Sequence, residues 1–322
     1  SGSVRDLISP SAGLTPQRAL LTMSGDLPAV PTALVDALAN QNGMLVEGLG
    51  PVIELRLRLE RVPLQGGDPL HTQGPPPIVD LVASSGRART TLRGTVRDGV
   101  FVSEAPVNIT VTELTQKMAG HFVQGLPIIG SLEKKSGDFP ATLVATGVTA
   151  PLGNDFSKLN ADINIDPGEA RFGTSSVFGS LLKAIKATTE GTVGQRLQPL
   201  HINIKDGVAT YDRWELPLGE FKVQTEGTVD LVKKTLDVVT YIPFGALTDE
   251  AAGKFNLGLG SLLGNLMPKV IEAAAMVPFR TKGTLDKHTT SPDLALFAKN
   301  FVSTLNPANL IRQGAGEVPV KK

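Results

Sequence analysis

The chain has 322 residues, of which 41% are hydrophobic and only 5% aromatic, so a sizeable core must be built from Leu, Val, Ile and Ala. Lys and Arg together number 31 and so do Asp and Glu, which argues against nucleic acid and against a polybasic lipid-headgroup surface. The absence of cysteine excludes disulfides, thiolate catalysis and sulfur-ligated zinc.

No window has the uninterrupted apolar length of a membrane span; the best stretch, 257–277, is broken by Asn265, Pro268, Lys269 and Glu272. Ser1-Gly2-Ser3 reads as a cloning remnant. The chain is therefore expected to be a piece of a longer protein, with any membrane anchor outside it.

Taken in order, residues 31–40 predict a short helix with Pro31 in its first turn, followed by Asn42-Gly43. Ile53, Leu55, Leu57 and Leu59 then alternate with Glu54, Arg56, Arg58 and Glu60, a strand with one apolar and one charged face. Residues 63–77, rich in Pro and Gly, read as an exposed loop. Strands are expected at 78–83 and 89–96, a turn at Asp98-Gly99, and a strand in which Val107, Ile109 and Val111 share one face. A helix is expected over 112–123, ending near Gly125, then strands at 141–149 and 159–166, and an amphipathic helix at 175–189.

The most regular stretch is 199–243. Leu200, Ile202 and Ile204 alternate with His201, Asn203 and Lys205, and Asp206-Gly207 supplies a two-residue hairpin turn. Phe221, Val223, Val229 and Leu231 share a parity, and 235–242 returns. Beyond it, 249–275 reads as helix broken at Asn265 and Pro268, 278–285 as strand, and Ser291-Pro292 as the opening of a final helix with Asp293 at its N-terminus. The tail from Gly314 reads as frayed. The fold class is mainly β with helices (α+β). The two halves rhyme weakly around 125–140, each with an alternating strand, an Asp-Gly turn and a helix, but no linker divides the chain.

Catalytic and metal motifs do not emerge. His71, His121, His201 and His288 are scattered, without a metal-ligand spacing. Gly258-Leu-Gly260-Ser-Leu-Leu-Gly264 misses the dinucleotide fingerprint, whose third glycine would fall on Leu263, and reads as close helix packing. Asn160, Asp162, Asn164 and Asp166 line one strand face. Side chains two apart on a strand stand ~7 Å from each other, too far to converge on one calcium ion, so they read as a solvated polar face. No cofactor is expected.

Several C-terminal features recur in a characteristic order. They are Asp206-Gly207-Val208, Leu216-Pro217-Leu218, Glu226-Gly-Thr-Val-Asp-Leu231, Thr235-Leu-Asp237, Val277-Pro-Phe-Arg-Thr-Lys-Gly-Thr-Leu285 and Pro292-Asp293. In that order, over about residues 175–295, the chain resembles the C-terminal region of AsmA-like proteins of the diderm bacterial envelope. The resemblance implies a curled antiparallel sheet forming a groove, flanked by amphipathic helices, in a periplasmic protein anchored in the inner membrane. It implies phospholipid or another acyl-chain ligand, a non-enzymatic role in lipid transport or outer-membrane maintenance, and envelope protein partners. The apolar parity would line such a groove: Ile53, Leu55, Leu57, Leu59, Leu200, Ile202, Ile204, Phe221, Val223, Val229 and Leu231. The alternative is an envelope scaffold of the same fold with a closed hydrophobic core and no ligand.

Overall fold

A computed structural model describes residues 1–5, 8–9, 13–14, 20–38, 43–63, 77–97, 99–114, 132–135, 137–151, 155–172, 195–218, 221–247, 276–285 and 287–304. Within them the protein is mainly antiparallel β. The strands, in chain order, are β1 (Gly2–Arg5), β2 (Ile8–Ser9), β3 (Gly13–Leu14), β4 (Leu20–Pro31), β5 (Val52–Pro63), β6 (Ile78–Ser84), β7 (Ala88–Arg97), β8 (Val100–Ser103), β9 (Val107–Val111), β10 (Leu132–Glu133) and β11 (Ala141–Pro151). They continue with β12 (Asn160–Asp166), β13 (Glu169–Phe172), β14 (Gln195–Arg196), β15 (Leu200–Lys205), β16 (Val208–Leu218), β17 (Phe221–Asp230), β18 (Thr235–Pro243), β19 (Met276–Thr284) and β20 (His288–Pro292). The described α-helices are α1 (Thr32–Leu38), α2 (Met44–Leu49) and α3 (Leu294–Thr304).

Fifteen strands form one sheet in the order β1-β4-β5-β6-β7-β8-β11-β12-β15-β16-β17-β18-β19-β20, with β9 pairing both β7 and β11. Neighbouring strands rotate by about 20–25°. Over a path of this length the rotation accumulates to most of a full turn, so the sheet is curled. Bulges in β4, between Thr146 and Thr149 of β11 and between Tyr211 and Trp214 of β16 add local bend. A small second sheet, β10-β13-β14, lies off the main one.

The expected strands are present, several longer than their periodic runs. β15 and β16 are joined by the two-residue turn at Asp206-Gly207, with φ +50° and +76°, as the primed hairpin turn requires. The expectation missed β4, β8, β20 and the short strands β2, β3, β10, β13 and β14. β4 contains Gly25 and Pro28 and has no clean alternation. Gly2–Arg5, read as a remnant in part, pairs with β4.

The helical expectations fare unevenly. α1 lies within 31–40. The final helix starts at Leu294, because Ser291 and Pro292 pair with β19 and Asp293 accepts the Leu296 N–H at 2.9 Å. At 112–123, Thr112–Leu114 are not helical; Leu114 bridges to Lys134. The rest of that segment, and the helices expected at 175–189 and 249–275, lie outside the described residues, as does the glycine-rich 258–264.

One apolar core contains Leu200, Ile202, Trp214, Leu216, Val223, Val229, Val238, Ile242, Val277 and Phe297 of α3. It sits under β15–β19. Among the described residues, none before Leu132 is a buried member of it.

Candidate functional site

In an antiparallel pair, residues directly opposite share a face. The register therefore carries one face from strand to strand. Leu27 of β4 is opposite Leu55, and the row continues through Ala83, Thr90, Ile109, Leu143, Ile165 and Leu200. A parallel row starts at Val107 and runs through Ala145, Ile163, Ile202, Tyr211, Gly227, Val238, Thr281 and Thr290. Neither row holds a charged side chain.

Hydroxyls on this face pair among themselves. The Tyr211 hydroxyl lies 3.1 Å from Thr225 Oγ1, and Thr281 Oγ1 lies 3.0 Å from Thr290 Oγ1. Burial pushes the Tyr211 phenol up to about 12, so it stays neutral and adds no charge.

The row one residue along shows the other face. It runs Asp26, Arg56, Val82, Thr91, Asn108, Val144, Asn164 and His201. Ion pairs bridge its strands, Arg56–Asp26 at 2.7 Å and Arg280–Asp237 at 2.8 Å, and His201 Nε2 lies 3.0 Å from Asp162 Oδ2. Arg213 stacks 4.5 Å over the Tyr241 ring, whose hydroxyl donates to Glu226 at 2.6 Å. Burial raises the Asp237 carboxyl, but hydrogen bonds from Arg280 and Lys282 outweigh it and hold the group below the usual range.

The polar strand 160–166 belongs to this face. Asp162 pairs with His201, Asp166 with Arg196 at 2.5 Å, and Asn160 Oδ1 accepts the Asp206 N–H at 2.9 Å. Among the described residues no cluster of three or more His, Asp or Glu is placed to hold a metal.

The structure puts Ile53, Leu55, Leu57, Leu59, Leu200, Ile202, Ile204, Phe221, Val223 and Val229 on the apolar face; Leu231 lies in the turn after β17 and packs on the core. They are not equivalent. Leu200 and Ile202 are 3% exposed, and Val223 and Val229 are 0% exposed, all inside the core. Ile204, Phe221 and Leu231 are half-buried against it. Ile53 and Leu57 are buried outside that cluster, while Leu55 and Leu59 are half-buried.

The half-buried apolar surface is instead concentrated on β4–β12. It includes Val79, Leu81, Leu92, Ile109 and Leu143, and Leu27 is 42% exposed. None of these six stood among the sequence candidates. Val79, Leu81, Leu92, Ile109 and Leu143 were legible as strand residues, but alternation alone does not distinguish a covered position from an open one.

Two further features lie near one end of these strands. Asp36 is buried and accepts the Gly43 and Leu45 N–H groups at 2.6 Å, fixing the start of α2. Lys134 is 5% exposed and donates to the carbonyls of Phe139 at 2.5 Å, Pro167 at 3.1 Å and Glu169. No described helix is long and apolar enough to cross a membrane. Comparison with family models, with curated proteins and with solved structures returned no match in any of the three.

Proposed function

We propose that this chain is a non-enzymatic lipid-binding domain of the bacterial envelope, acting in phospholipid transport or outer-membrane maintenance. The observation that carries the reading is the two-faced sheet: aligned rows free of charge on one face, cross-strand ion pairs on the other. Each methylene moved from water onto such a face contributes ~0.8 kcal/mol. A long acyl chain can therefore bind without a specific polar contact. The half-buried side chains of β5–β11 are the surface on which it would lie. The resemblance to AsmA-like proteins adds the periplasmic setting, the inner-membrane anchor on a longer protein and the groove bounded by helices.

A second reading has an observation of its own. Under β15–β19 the same face is sealed, as expected of an envelope scaffold with a closed core and no ligand. Mass spectrometry of organic extracts from the purified protein separates the two. Stoichiometric phospholipid is the expected result; clean extracts at full protein recovery favour the scaffold.

A further inference from the structure

The apolar face changes character along its width, and the change falls at β12. From β4 to β11 its side chains are largely half-buried, with local buried points such as Ala145; from β15 onward they are largely buried. Ile163 and Ile165 of β12 stand between: they are half-buried, yet they already pack on the sealed core. We infer that the face is a blind-ended acyl-chain site, open over β4–β11 and closed from β12, so that hydrocarbon enters over the N-terminal strands and stops before Leu200 and Ile202. This rests on the lipid-binding reading above and adds to it an end point and a capacity.

The occupant follows from the charge distribution. The row from Leu27 to Ile165 offers no ion-pair partner to a headgroup, so the surface selects tails rather than headgroups. The end point follows from packing. A side chain sealed in a close-packed core has no free surface for a ligand. Capacity follows from length. Leu27 to Leu143, the open part of the row, spans six paired strands, five steps of ~4.8 Å or about 24 Å across the sheet. That is shorter than the two acyl layers of a bilayer, whose hydrocarbon core is ~30 Å thick. One or two lipids fit; a continuous file does not.

The chain has no cysteine, so single thiols test this directly. Ala83→Cys and Ala209→Cys make the same small change on the same face, on the open and the sealed side; Ile109→Cys and Val238→Cys repeat the pair. Folding of each variant is checked by circular dichroism before maleimide labelling. Thiols at 83 and 109 should react within about tenfold of a thiol in the denatured chain. Those at 209 and 238 should react at least about a hundredfold more slowly, because they wait on opening of the core. Equal, fast reaction at all four positions in folded protein overturns the blind end.

Myristoyl lysophosphatidylcholine below its micellar concentration should then protect 83 and 109. Native mass spectrometry of the unsubstituted chain should saturate at one or two copies of it. Saturation at many copies also overturns the blind end. Failure to protect either open position, with the thiol pattern intact, overturns the lipid reading itself and this inference with it.

Discussion

Single residues show where the fold has little freedom. Gly207 combines φ +76° with a crowded site: a Cβ there would lie 2.4 Å from the Phe156 carbonyl oxygen and 2.7 Å from Val232 Cγ2. The left-handed conformation alone costs a β-carbon about 1–2 kcal/mol, and the contact adds to it. Gly207→Val should lower the chemical denaturation midpoint by more than Gly207→Asn, which tolerates the left-handed region. Asp138 gives a pH test. Hydrogen bonds from Arg171 and from the Lys135 N–H hold its carboxyl below the usual range. A depressed folded-state value stabilises the fold above the unfolded aspartate value of about 3.9 and is lost as pH falls through the folded value. The thermal midpoint of Asp138→Asn should therefore lie below that of the unsubstituted protein at pH 7, and the gap should close in the acid range below pH ~4.

At the scale of elements, the small sheet β10-β13-β14 is tied to the large one through a buried cation. Burial pulls Lys134 below the usual lysine range, and its ammonium satisfies three backbone carbonyls on the segments before β11 and after β12. Lys134→Met keeps the length and removes the donors. Leaving buried acceptors unpaired costs about 1–3 kcal/mol, and the expected readout is a lower denaturation midpoint together with faster hydrogen exchange at the backbone amides of positions 114 and 134, whose mutual bridge the clamp supports. Had the cation contributed nothing, neither would move. Asp293 plays a comparable double role beside the last strand of the large sheet, capping α3 and accepting from Arg280 at 2.9 Å.

At the scale of the molecule, the contrast between the sealed and the half-buried parts of one face predicts opposite behaviour for one substitution. Ile202→Asp places a carboxylate in the core at a position 3% exposed. An uncompensated buried charge costs several kcal/mol against a total stability of ~5–15 kcal/mol, so this variant should be insoluble or unfolded. Ile109→Asp lies on the half-buried part and keeps partial hydration. It should unfold cooperatively near the normal midpoint and carry less lipid than the unsubstituted chain. A folded Ile109→Asp with undiminished lipid would place the ligand elsewhere.

Period-2 alternation was enough to read most of the main strands, the hairpin at Asp206-Gly207 and the apolar parity from Ile53 to Leu59 and from Leu200 to Val229, because side-chain direction along a strand is set by the backbone itself. It was not enough for β4, where Gly25, Pro28 and a bulge between Leu27 and Val30 disrupt the period, nor for β20, whose polar residues His288–Ser291 gain their place only by pairing with β19. The sequence by itself determined that this protein is a sheet with one apolar face. Which strands are neighbours, and so which apolar residues join into one row, depends on pairing between residues far apart in the chain. The tertiary structure alone decided that Val223 and Val229 are core while Leu81 and Ile109 stay half-open, since burial is a property of what lies above a side chain and alternation reports only which way it points.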